Sequence, residues 1–98
     1  MDAIVTLNQL TQSNNGMSRL TMMIGAKNFV QSKEESFVSF RFPRAQYVKI
    51  KLNAMDTYDM EFGKIRKFES KVSQEFKGLY AEMLKETFEQ YTKLYLSL

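Results

Sequence analysis

Residues 47–62 read YVKIKLNAMDTYDMEF, and two stretches of strict alternation stand there on either side of a polar interruption. Val48, Ile50 and Leu52 alternate with Lys49 and Lys51, and Tyr58, Met60 and Phe62 alternate with Asp59 and Glu61. A period of two places each apolar row on one face of an extended strand. The intervening NAMDT supplies turn residues, so the segment is expected to be a β-hairpin. With Leu52 opposite Tyr58, the same register sets Lys51 opposite Asp59 and Lys49 opposite Glu61. Cross-strand pairs of opposite charge contribute about 0.2–1 kcal/mol each and select this register over its neighbours.

Upstream, SFVSFRF at 36–42 puts Val38, Phe40 and Phe42 on one face, and Pro43 closes the run because it has no N–H for a ladder. QSKEE at 31–35 is expected to be an exposed loop. From Ser18, Leu20, Met22 and Ile24 fall on one face and Thr21 and Met23 on the other, which predicts a further strand ending at Gly25. Residues 2–12, DAIVTLNQLTQ, fit two periods: Ile4, Leu7 and Leu10 suit a helical face, while Ala3, Val5 and Leu7 suit alternation. Asp2 as N-cap and the SNNG stop at 13–16, with Gly16 in the left-handed conformation, favour a short helix.

Downstream of GKIR at 63–66, the stretch 67–77 spaces Phe68, Val72 and Phe76 among charged residues, which predicts an amphipathic strand ended by Gly78. The tail changes to a helical period. Tyr80, Leu84, Phe88, Tyr91 and Tyr95 form a stripe, edged by Met83 and Leu94, and Lys85/Glu89 and Glu89/Lys93 sit one turn apart. The expected fold is a single α+β domain over residues 1–98. It has an antiparallel sheet of four or five strands, a short N-terminal helix, and a longer C-terminal amphipathic helix packed on the sheet.

The chain has 98 residues, 44% of them hydrophobic, with eight Phe and five Tyr, a composition ordinary for one domain with its own core. It contains neither Cys nor His. Disulfides, thiolate nucleophiles, Cys/His zinc sites and imidazole bases are thereby excluded. Asp56/Asp59 and Asp59/Glu61 are the carboxylate pairs available for acid/base or hard-metal chemistry, but they read as turn and cross-strand partners. No catalytic residue, metal site or cofactor is expected. No apolar run approaches the roughly 18 residues of a membrane span, and no leader-like segment is visible, so the expected location is cytoplasmic.

Net charge is +3, and the excess lies in the middle. Residues 41–71 carry Arg41, Arg44, Lys49, Lys51, Lys64, Arg66, Lys67 and Lys71 against Asp56, Asp59, Glu61 and Glu69. With Lys49 and Lys51 answered across the hairpin, Arg41, Arg44, Lys64, Arg66, Lys67 and Lys71 remain as a basic patch. Phosphate neutralisation would serve nucleic-acid binding there, with Tyr47, Phe37 or Tyr58 as base-stacking side chains; the other reading is a solvated surface, since the alternation assigns most of the aromatics to the core. In MIGAKNF at 23–29, Gly25, Lys27 and Asn28 have two readings. One is contact with a phosphate or carboxylate by Lys27 and Asn28; the other is a turn between elements, where glycine supplies a positive φ. P-loop and dinucleotide-binding spacings are both absent.

The methionines at 17, 22, 23, 55, 60 and 83 suggest an adaptable contact surface. Met23 and Phe37, opposite the expected core rows, are candidates for a protein or homodimer interface, unless the helix over 2–12 covers that side.

Four segments, NQL at 8–10, MIGAKNF at 23–29, LNAMDTYDMEFGKIR at 52–66 and GLYAEMLKETFEQYTKLYLSL at 78–98, together resemble a group of small proteins encoded by bacteriophages, prophages and other mobile elements. The likeness spans nearly the whole chain. Where that group has Thr-Gly-Leu-Tyr, this chain has Thr92-Lys93-Leu94-Tyr95, so the last helix either runs on toward Leu98 or stops with Lys93 in a strained conformation. The resemblance implies a mobile-element source and brings no mechanism with it. With the lack of catalytic groups, it leads to the expectation of a small non-enzymatic protein binding a host or defence-system protein, an anti-defence inhibitor being one form of this. Nucleic-acid binding through the central cations is the alternative.

Overall fold

In the computed structural model, which describes residues 2–67 and 69–96, the chain enters its first helix through the expected cap. Asp2 Oδ1 accepts hydrogen bonds from the Ile4 and Val5 amides at 2.9 and 3.4 Å, and α1 spans Ala3–Thr11. The helix stops at Gln12, which takes the left-handed conformation (φ 53°) expected of Gly16. Gly16 instead opens a second helix, α2 (Gly16–Ile24), and is buried against α1: a Cβ there would stand 2.4 Å from the Leu7 carbonyl oxygen. Asn8 Oδ1 accepts from the Gly16 amide at 2.8 Å, so α1 supplies the cap that Asn15 does not make for α2.

The strand expected from Ser18 is therefore a helix. Leu20 and Ile24 are four apart, an even number that is also close to one helical turn, and both periods put them on the same face. Met22 and Met23 distinguish the two: Met22 is 81% exposed while Leu20 is fully buried, and Met23 packs against the core. Gly25 (φ 67°) stops α2, its amide donating to the Thr21 carbonyl at 3.1 Å. The chain then enters β1 (Lys27–Ser32), an unexpected strand that takes in Gln31 and Ser32 of the expected loop.

β2 (Phe37–Phe42), β3 (Gln46–Leu52), β4 (Tyr58–Arg66) and β5 (Glu69–Leu79) complete an antiparallel sheet in the order β1-β2-β3-β4-β5. The hairpin register is the expected one: Leu52 opposes Tyr58, Lys51 opposes Asp59 and Lys49 opposes Glu61. Its turn is organised by Asn53, whose Oδ1 accepts from the Met55 and Thr57 amides, while Asp56 contributes a left-handed φ of 62°. In β5, Val72 opposes Gly63 but Gln74 opposes Phe62, and the extra residue inverts the face. Phe76 consequently lies with Met60 and packs against the core, whereas Val72 is exposed on the other face. Phe68, the first member of that expected row, lies outside the described residues. Gly78 (φ 71°) occupies a second irregularity, one residue before the strand ends.

A single turn of 3-10 helix (Ala81–Met83) leads into α3 (Leu84–Thr92). Phe88 is fully buried with its ring centroid 6.3, 5.7 and 5.9 Å from those of Phe40, Phe42 and Phe62, and Tyr91 stacks on Phe62 at 4.4 Å. Tyr80 and Tyr95, the ends of the expected stripe, fall outside α3 and are exposed. Lys93 takes the strained option (φ 62°), and the chain turns back to bury Leu96. The three helices cover the sheet face bearing Val38, Phe40, Val48, Ile50, Met60 and Phe62; the opposite face stays open.

Candidate nucleic-acid interface

An antiparallel meander returns alternate strand ends to the same side, and here that rule collects the cations. Lys27 opposes Arg41, Gln46 opposes Lys64, Lys64 opposes Lys71, and Arg66 opposes Glu69. Arg44 (φ 70°) and Lys67 (φ 39°) sit in the two turns at this same end. All six members of the expected basic patch are exposed there, joined by Lys27 and Asn28. The opposite end, with the turns at 33–36 and 53–57, has Lys33 beside Glu34, Glu35 and Asp56 and gathers no comparable excess.

The cations divide between the faces. Lys64 and Lys71 share the register of Phe42 and Gln46, while Arg41 shares that of Tyr47 and Gly63 on the open face. A cavity of about 540 Å³ opens on that face, lined by Asn28, Arg41, Tyr47, Lys49, Lys67 and Ile65 together with Val30, Ser39, Phe40, Glu61, Glu69 and Ser70. Asn28 reaches it because β1 bulges between Lys27 and Val30, with Asn28 at φ 56°. MIGAKNF thus serves first as a helix stop and a strand entry: Gly25 turns the chain, Ala26 is buried, and Phe29 packs 5.4 Å from Phe40.

Tyr47 is the fixed element of the cavity. Its ring crosses Gly63 so closely that a Cβ there would lie 2.3 Å from the ring, and its hydroxyl donates to Glu61 Oε2 at 2.8 Å. Burial, reinforced by Glu61, pushes the phenol up from its ordinary value of 10.0 to about 12. Glu61 is thereby engaged by Tyr47, and Lys49, its cross-strand partner, holds its ammonium 4.3 Å from the Phe37 ring centroid. Asp59 likewise accepts from Asn53 Nδ2 and the Gly78 amide at 3.0 and 3.1 Å. The opposite charges face one another as the hairpin register requires, but these hydrogen bonds go elsewhere.

Of the other sequence candidates, Met23 lies on α2 and packs against the core, contrary to the strand placement that made it exposed. Phe37 is on the open face, half-buried beneath Lys49. Tyr58 is unavailable for stacking on the open face, because it belongs to the covered face and donates to Gln9 Oε1 at 2.8 Å. A second cavity, about 590 Å³, lies between α1, α2 and β1, with Ile4, Leu7, Met17, Phe29, Val30 and Val38 among its lining residues. Ile4, expected on a helix face, and Met17, one of the methionines expected at a contact surface, are exposed here together with Val30. Among the described residues, no group of three or more His, Cys, Asp or Glu could hold a metal ion, and no helix is long and apolar enough to cross a membrane. Compared with family models, curated proteins and solved structures, the chain matches none.

Proposed function

We propose that this chain is a small non-enzymatic binding protein of a phage or other mobile element, acting in the bacterial cytoplasm, and that nucleic acid is the macromolecule its geometry serves best. One observation carries this: the meander brings Lys27, Arg41, Arg44, Lys64, Arg66, Lys67 and Lys71 to one end of the sheet, with Glu69 among them. Exposed Lys and Arg gain affinity by releasing counterions from a phosphate backbone, a term that falls steeply with salt. Fluorescence anisotropy with labelled DNA and RNA tests it. Binding is expected at low salt, and joint Arg66→Glu and Lys67→Glu substitution should weaken it across sequences. The slope of log K against log salt should flatten by roughly 0.7–0.9 for each phosphate that the variant no longer neutralises. Absence of binding to either nucleic acid at low salt overturns the proposal.

A host or defence-system protein as target is favoured by a different observation, the exposed apolar Ile4, Met17 and Val30 at the cavity between α1, α2 and β1, whose rim also carries Asp2 and Lys33. Apolar surface of this kind suits a protein partner. That reading expects a protein retained by the tagged chain from nuclease-treated lysate and released by Ile4→Asp substitution. Retention that depends on intact nucleic acid counts against it.

A further inference from the structure

We infer that the cavity on the open sheet face holds one base of a single-stranded nucleic acid, stacked on Tyr47, with Arg41 and Lys67 at the flanking phosphates. This rests on the nucleic-acid reading and narrows it to a strand form and a pocket. A volume of about 540 Å³ lies within the roughly 300–1,000 Å³ typical of small-ligand sites. Tyr47 is preorganised: Gly63 beneath it and the 2.8 Å bond to Glu61 hold the ring before any ligand arrives. A held ring loses little conformational freedom on stacking, and base–aromatic stacking contributes about 1–3 kcal/mol per base.

Charge divides the pocket by role. Arg41 and Lys67 join the basic sheet end and suit phosphate, whereas Glu61 and Glu69 can only accept and suit the N–H groups of a base edge. Asn28, displaced toward the pocket by the bulge, offers both an amide donor and an acceptor. A duplex keeps its base faces stacked inside the helix, where a tyrosine recessed in a sheet face does not reach them. A single strand splays its bases and presents those faces.

Anisotropy with a fluorescein-labelled 12-nucleotide single strand and the matching duplex, at one salt concentration, tests the inference. The single strand should bind at least tenfold more tightly. Tyr47→Leu should weaken single-strand binding by roughly 5- to 150-fold, the equivalent of the stacking energy. Tyr47→Phe, which keeps the ring, should recover most of that affinity. Because Tyr47→Leu could disturb the fold, the wild-type protein is also photocrosslinked to a strand bearing 5-iodouracil, and the adduct is expected at Tyr47. Equal affinity for duplex and single strand, or a crosslink only at residues outside the cavity, overturns the inference. If Arg66→Glu with Lys67→Glu still weakens binding in that case, the phosphate reading stands without it; absence of all binding removes both.

Discussion

Tyr47 and Lys93 show how a single residue departs from its ordinary state when its surroundings require it. The Tyr47 phenol is pushed up to about 12 by burial and by Glu61, so between about pH 10 and 12 the native state holds a proton that the unfolded chain has released. Stability from this group is complete below about pH 10 and is lost as pH rises through about 12. Tyr47→Phe, which has no such proton, should show a shallower fall of Tm over that alkaline window, and absorbance at 295 nm should lose the phenol that titrates near 12. Lys93 sits at φ 62°, a conformation that favours glycine. Its cost is met by the α3 terminus around it, where Glu89 accepts from the Lys93 amide through its carbonyl and from the Leu96 amide through its carboxylate. Lys93→Gly should raise stability by about 0.5–1 kcal/mol, read from the urea midpoint. Of the two outcomes expected at Thr92-Lys93-Leu94, the strained stop is the one present, and Leu96 is buried beyond it.

Among the elements, the packing of α1 on α2 is the most exacting. Gly16 is required there by proximity, since a methyl group would meet the Leu7 carbonyl and the Asn8 amide nitrogen, both backbone atoms that cannot swing aside. Gly16→Ala should therefore cost about 2–3 kcal/mol and lower the urea midpoint. The NQL segment acquires its meaning from this packing: Asn8 caps α2, Gln9 accepts from Tyr58, and Leu10 is buried in the core. The β3–β4 register was legible to the residue because its alternation runs unbroken and its charges complement in one register, although β4 runs on through GKIR to Arg66. Residues 18–24 misled because Leu20 and Ile24 satisfy both periods at once. The row through Val72 and Phe76 failed for another reason, a bulge that puts two residues spaced by four on opposite faces.

For the whole molecule, the separation that matters is between a face closed by three helices and a face left open, with the cations drawn to one end of the sheet. That distribution predicts binding dominated by salt. Affinity for nucleic acid should drop steeply between about 50 and 200 mM salt, and a charge reversal at Lys33, at the other end, should leave the slope unchanged. Titration of binding against salt for the wild-type chain and Lys33→Glu checks this.

Of the four or five strands expected, five are present with one member exchanged, β1 replacing residues 18–24. Alternation in β2, β3 and β4, the Asp2 cap, Pro43 and the Leu84, Phe88 and Tyr91 part of the α3 stripe were readable because they depend on neighbours along the chain, which a sequence displays directly. Gly16, the inverted face of Val72, the buried turn at Leu96 and the pocket around Tyr47 depend on residues distant in sequence. Whether two segments touch is settled by packing and chain return in three dimensions. The candidate cations could be named from the sequence, but their assembly at one sheet end, and the meeting of Asn28 with Arg41, Tyr47 and Lys67, follow from the meander and its bulges.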